Sequence, residues 1–323
     1  MKKWIYTGSA LLILQLILAG FLLSTERDFS AFTPQANLLH FSPDAVDTVL
    51  IAAPGDKTVI ISRVNGKTWM LPGAYMAPAD GNRVEGLLQK LADLKQGLAV
   101  ATTRDAAKRF KVSADDFERH VVLKKGEQVV ADFYLGTSPS FKKVHARVHD
   151  RLEVVSIPLS TYDLEAEADP WVDRSLAHTD EEAISSLAMA DFELTRQDKG
   201  WQLQGLAGDE ELKPVEVDKL LADVSSIRVQ GVLDPVANSS LFREEPALTL
   251  TMTLSDGSTV TDIFAKPEKG NYYVLKRPEY DFFLKVNSGA VDEIRKFGRN
   301  SLVSEKGTAE GEGHPAAGAL AGH

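Results

Sequence analysis

Hydrophobic positions change their period several times along this chain. From Trp4 to Leu23 they run almost unbroken, WIYTGSALLILQLILAGFLL, 20 residues without a charge and with Gln15 as the one strongly polar side chain. A helix of that length rises about 30 Å, the thickness of a bilayer's hydrocarbon core. Lys2 and Lys3 stand directly before it. That lysine bias predicts a cytoplasmic stub at residues 1–3, with everything after Leu23 across the membrane. The run is longer than the apolar region of a cleaved signal, and Ala19-Gly20 is followed by Phe21, Leu22 and Leu23, so the pattern predicts an uncleaved anchor over 4–23.

Residues 24–44 lose all periodicity and read as a tether. From Val46 the period falls to two. Thr48–Ala52 and Thr58–Val64 alternate, Asn65-Gly66 supplies a two-residue hairpin signal, and Thr68–Leu71 returns. Val84, Leu87, Leu88, Leu91 and Leu94 then make the stripe of an amphipathic helix introduced by Pro78 and Asp80. A short helical stretch at Asp105–Phe110 follows, and Ser113 with Asp116 has the spacing of a capping box. Val121–Leu123 with Gln128–Leu135, and Lys143–Val148 with Leu152–Ile157, read as two further hairpins.

The second half repeats this order. Leu87, Leu88, Leu91 and Leu94 recur as Leu220, Leu221, Val224 and Ile227, each 133 residues on. Trp69 falls opposite Trp201, Phe110 opposite Phe242, Gly126 opposite Gly257, and Asp132-Phe133-Tyr134 opposite Asp262-Ile263-Phe264. The pattern predicts an α+β fold: two duplicated units at 45–177 and 178–303, mostly antiparallel sheet with one main packed helix each, and both tryptophans buried. One such unit leaves a sheet edge and face uncovered, which tandem copies can cover. Residues 304–323, rich in Gly, Ala and Glu, read as a disordered tail.

Composition narrows the function. A net charge of −10 argues against nucleic acid and against adhesion to an anionic lipid surface. Without cysteine there are no disulfides, thiolate metal sites, cysteine nucleophiles or lipoprotein anchor.

Candidate chemistry is sparse. His145 and His149 have metal-ligand spacing for a helix, yet Val144–His149 alternates as a strand, which puts His145, Arg147 and His149 on one face, read as the wet one. Asp132 and Asp262 at matching positions suggest either paired acids or a shared structural role. Asp115, Asp116, Glu118 and the run Asp209-Glu210-Glu211 read as solvated charge, and His314 and His323 belong to the tail. The stretch Gly136-Thr137-Ser138-Pro139 lacks the features of a nucleophile elbow. The residues therefore predict no catalytic group, no metal and no cofactor. Trp171, in Asp-Pro-Trp-Val-Asp, reads as a closing contact. Gln15 within hydrocarbon is either tolerated or turned toward a partner helix.

The anchor, the paired strand-turn-Trp and leucine-striped helices, the hairpin ending Phe133-Tyr134-Leu135-Gly136 and the closing Asp173-Arg174-Ser175-Leu176 resemble the bacterial membrane-anchored proteins carrying the domain of unknown function numbered 4340. The second copy departs from the pattern, reading Ala265-Lys266 where the first reads Leu135-Gly136. The resemblance transfers no catalytic residue. It implies proteins encoded beside ABC-type exporters and their extracytoplasmic auxiliary subunits. The expected function is a non-enzymatic accessory or scaffold of the cell envelope, held in the bacterial inner membrane with its body in the periplasm. Its expected partners are the membrane and transporter or auxiliary subunits. The alternative is an envelope hydrolase or glycan-binding protein with carboxylates in a groove between the units.

Overall fold

A computed structural model describes residues 36–306 and, apart from these, Gln15, which is helical and exposed. The rest of the expected anchor, the tether up to residue 35 and the tail from residue 307 lie outside the described residues, as do His314 and His323. Among the described residues no helix is long and apolar enough to cross a membrane.

In chain order come β1 (Thr48–Ala53), β2 (Lys57–Val64), β3 (Thr68–Leu71), β4 (Ala77–Pro78), α1 (Gly81–Ala92), β5 (Ala99–Ala101), α2 (Arg104–Arg109), β6 (Arg119–Lys125), β7 (Gln128–Leu135), β8 (Val144–Val148) and β9 (Val154–Ile157). There follow β10 (Ile184–Ala188), β11 (Glu193–Gln197), β12 (Gly200–Leu203), β13 (Glu210–Leu212), α3 (Pro214–Ser225), β14 (Val229–Leu233), α4 (Pro235–Asn238), β15 (Leu248–Leu254), β16 (Thr259–Ala265), β17 (Tyr272–Lys276), β18 (Phe283–Asn287), α5 (Ser288–Ile294), α6 (Arg299–Leu302) and β19 (Val303–Glu305). The fold is mostly antiparallel sheet with a few helices. Two compact units result, one from residues up to Lys67 with Asn82–Glu167, the other from Thr68–Gly81 with Ala168 onward.

In the first unit the strands run β2-β1-β6-β7-β8-β9-β5, and in the second β11-β10-β15-β16-β17-β18-β14, with β12 beyond β11. These are the same seven-strand order, element for element. Asn65 and Gly66 both take positive φ, as a two-residue hairpin turn requires. Alternation sets the main core of the first sheet: Val49, Ile51, Ile61, Val121, Leu123, Phe133 and Leu135 are fully buried. The stripes of α1 and α3 are buried as the 3.6-residue period demands, with Leu94 and Ile227 just past their ends. Trp69 and Trp171 are buried, Trp171 completely. Trp201, expected to be buried, is half-exposed and carries the Arg196 guanidinium 4.9 Å over its ring. Its strand, β12, ends its sheet, which leaves one side of the indole open.

Two terminal expectations need correction. The tether's last part is not loose: Leu38 and Leu39 are buried, and the Leu38 amide donates to the Leu94 carbonyl at 2.7 Å. At the other end, Ser304 and Glu305 belong to a strand, β19, paired with β13. Glu210 and Glu211 of the acidic run lie in that partner strand, and Glu210 is not simply solvated: Arg299 donates to both its carboxylate oxygens, at 2.8 and 2.5 Å. These bonds, with the Ala207 amide, hold its carboxyl down at about 2. Ser113 and Asp116 close a local turn with three bonds between them, and no helix follows.

Candidate functional site

The two faces of the first sheet differ. Opposite the main core, α2 and the turn after it lay Ala107, Phe110, Val112 and Phe117 over Tyr134 and Val154, forming a small second core. Thr103 caps α2 by accepting from the Ala106 amide. The face expected to be wet is therefore largely covered. His145 and Arg147 are each 8% exposed, and only His149 reaches solvent. His145 is structural: its Nδ1 lies 2.9 Å from Thr137 Oγ1, and its ring packs 4.3 Å from that of Phe110. Arg147 donates to the carbonyls of Val112, Val148, His149 and Arg151.

Register places the remaining groups. His120 on β6 sits opposite Tyr134 on β7, which sits opposite Arg147 on β8. One step along, Val122 is opposite Asp132, and Asp132 faces His149, whose amide donates to the Asp132 carbonyl at 2.9 Å. All six side chains stand on one face. His120 Nε2 donates to Asp132 Oδ1 at 2.8 Å, His149 Nδ1 lies 3.5 Å from Asp132 Oδ2, and the Tyr134 hydroxyl is 3.0 Å from the same nitrogen. The His120 ring stacks on Tyr134 with centroids 4.4 Å apart. Burial, then the Asp132 charge, raises the Tyr134 phenol above its ordinary range against the pull of Arg147, so it keeps its proton near neutrality. His149 opens onto a cavity of about 340 Å³ lined also by Arg104, Lys108, Asp115 and Arg151. His120, Asp132 and His149 hold their nearest ligand atoms all within 4.8 Å of one another.

Sequence reasoning tested His145 with His149 and missed His120. A β-bulge hides it: Leu123 pairs with Ala131 but Lys124 with Val129, leaving Val130 unpaired. Without that extra residue His120 would face the opposite side of the sheet from Asp132.

The matched aspartates also prove not to match. Phe110 covers the Tyr134 face of the first sheet. In the second unit Phe242 packs 4.8 Å from Phe283 and lies under Lys276, on the Ile263 face. Asp262 points the other way, into the main core with Leu250, Met252 and Phe264. The equivalence is one residue off, pairing Phe133 with Phe264 and Asp132 with Ile263. The positions that carry His120, Asp132, Tyr134 and His149 hold Ala247, Ile263, Ala265 and Lys276 in the second unit. Asp262 itself is completely buried and gripped by Arg277 at 2.5 and 2.9 Å, while Arg277 also donates to the Leu176 and Ala177 carbonyls. Asp115 and Glu118 lie in surface pairs with Lys108 and Lys111.

The family model described as Domain of unknown function (DUF4340) matches residues 69–246, more than half of the chain. No curated protein and no solved structure matches it.

Proposed function

Since the chain belongs to the family defined by that domain of unknown function, we propose that it is a membrane-anchored, extracytoplasmic accessory of an ABC-type transport system, acting by contact and not by catalysis. Its two α+β units descend from one duplicated unit, a reading that their common strand order supports.

The observation that carries the proposal is the end of the first sheet. β5 is the last strand there and pairs with β9 alone among the described strands. The stretch around it, Gln96 to Thr103, has no charge, with Leu98 75% and Val100 50% exposed. Soluble proteins normally blunt such an edge with shortness, a bulge, lysine or proline, because its free amides and carbonyls invite another chain. β5 is three residues long and its register shifts between Ala99 and Ala101, but it carries neither a charge nor a proline. An edge left apolar suits addition of a partner's strand. The occupant proposed is an extracytoplasmic segment of the transporter or its auxiliary subunit. The hydrolase alternative needs two free carboxylates about 5–10 Å apart in a cleft. Asp262 is sealed under Arg277 and Asp132 is bound by His120, which speaks against those two as the pair.

Full-length protein solubilised in detergent from its own membranes should bring ABC transport subunits with it. Val100→Lys, which places a charge on the edge, should cut that recovery severalfold. Gln15→Leu should also weaken it if the amide meets a partner helix, a hydrogen bond of about 0.5–2 kcal/mol. Recovery of no transport subunit with the wild type overturns the proposal.

A further inference from the structure

The geometry points to a site for a divalent first-row transition ion of the zinc class in the first unit, ligated by His120 Nε2, the Asp132 carboxylate and His149 Nδ1. The inference stands whether or not the accessory reading is correct.

Four observations carry it. The first is ligand geometry. Zinc bonds of about 2.0–2.2 Å set tetrahedral donor atoms about 3.3–3.6 Å apart. The Asp132 oxygens lie 2.8 Å from His120 Nε2 and 3.5 Å from His149 Nδ1, and all three donors fall within 4.8 Å of one another. Small side-chain rotations open the space for an ion. Two imidazoles and one carboxylate form a donor set that zinc and its neighbours accept and that calcium or magnesium does not favour.

The second is the support behind the ligands. The His120 ring is fixed between Tyr134, stacked at 4.4 Å, and the edge of Phe117 at 5.7 Å. The backbone under Asp132 is tied to His149 through the amide–carbonyl bond. The Tyr134 hydroxyl, 3.0 Å from His149 Nδ1, is placed to bond a water or ligand in a fourth coordination position. Such outer partners orient first ligands and tune affinity.

The third is access. His149 has 55% of its side chain exposed, while Asp132 and His120 keep about a quarter each. An ion enters from solvent past His149 and ends in a half-buried seat.

The fourth is the contrast between the units. At the same register the second unit carries Ala247, Ile263 and Lys276, so the fold holds together without the imidazoles or the carboxylate. Among the described residues the cluster belongs to the first unit alone. A purely structural polar network has no need of two histidines on one aspartate where the sister sheet manages with an alanine, an isoleucine and an exposed lysine.

The opposing charges are Arg147, on the same sheet face, and Arg104, Lys108 and Arg151, which line the cavity beside His149. The Arg147 guanidinium lies 4.9 Å over the Tyr134 ring, and the ring stands in register between it and His120. Its donors face the carbonyls of Val112, Val148, His149 and Arg151, which absorb much of its field. Lys108 in the adjoining cavity is paired with Asp115 at 3.1 Å.

The test is titration of the untagged full-length protein in detergent with Zn²⁺ by calorimetry, and with Co²⁺ by visible absorption. One equivalent should bind, and Co²⁺ should give the d–d bands of a low-coordinate nitrogen–oxygen site. His149→Ala removes a mostly exposed side chain, so its fold should persist, and its affinity should fall at least tenfold. Asp132→Asn should lose binding further, with circular dichroism as the check on folding. Changing His314 and His323 together should leave binding intact. The inference fails if the wild type binds no ion stoichiometrically, if His149→Ala binds as tightly, or if loss of His314 and His323 abolishes binding.

Discussion

Arg277→Met is expected to destabilise the second unit by about 3–5 kcal/mol, because it leaves Asp262 buried without its counter-charge. Both oxygens of Asp262 are held by Arg277, and neither residue has meaningful solvent contact. The change also takes the guanidinium from two carbonyls: Ala177 loses its bond to Arg277, and Leu176 keeps the Tyr280 hydroxyl at 3.4 Å. Burial pushes the Asp262 carboxyl upward, and only the guanidinium opposes it strongly. In the variant that opposition is gone. A carboxyl with a raised folded-state value holds its proton better folded than unfolded, so its contribution is present at low pH and lost as pH rises. The loss in thermal midpoint should accordingly be smaller near pH 4 and grow toward pH 7. Calorimetric melts of wild type and variant across that range check both the size and the sign. Arg277→Lys should recover little, since one ammonium cannot span the carboxylate and two carbonyls together. A variant melting with the wild type at pH 7 would mean the pair contributes nothing.

Gly136→Ala is expected to cost about 3 kcal/mol and to disturb the candidate metal seat at the same time. A methyl group there would collide with the backbone carbonyls of Phe110 and Lys111. That backbone cannot move freely: the Thr137 amide donates to the Phe110 carbonyl at 2.9 Å, and the Phe110 amide is tied back to Ala106. The close approach brings Phe110 onto His145 and Val112 within reach of Arg147. Pushed apart, this segment no longer fixes the small second core around Tyr134. Thermal unfolding should show the loss of stability, and Zn²⁺ titration a weaker site. Unchanged values in both would show that the turn tolerates the added carbon.

What the chain made legible, and what it concealed, follows from the range of each signal. Hairpin turns, the period of α1 and α3, and the succession of strands are local, and Asn65-Gly66 or the leucine stripes declare them directly. The face on which a residue finishes depends on register, and register here turns on single residues. Val130 shifts β7 against β6 and brings His120 beside Asp132. A one-residue slip between the units makes Asp132 and Asp262 look equivalent in sequence while they point to opposite faces. Arg277 was illegible for another reason, since two of its acceptors lie about a hundred residues away at Leu176 and Ala177. Ser304 and Glu305 looked like tail because a strand of three residues carries no period of its own; β13 supplies the partner that makes it one.

An accessory of an envelope transporter has to meet its partner outside the cytoplasm, so the proposed function requires the body to lie on that side of the membrane. A reporter enzyme that becomes active only outside the cytoplasm, fused after His323, is expected to be active in intact cells. The membrane fraction should then hold a chain still beginning at Met1. A fusion that stays silent there, while a cytoplasm-dependent reporter at the same position is active, would contradict that placement.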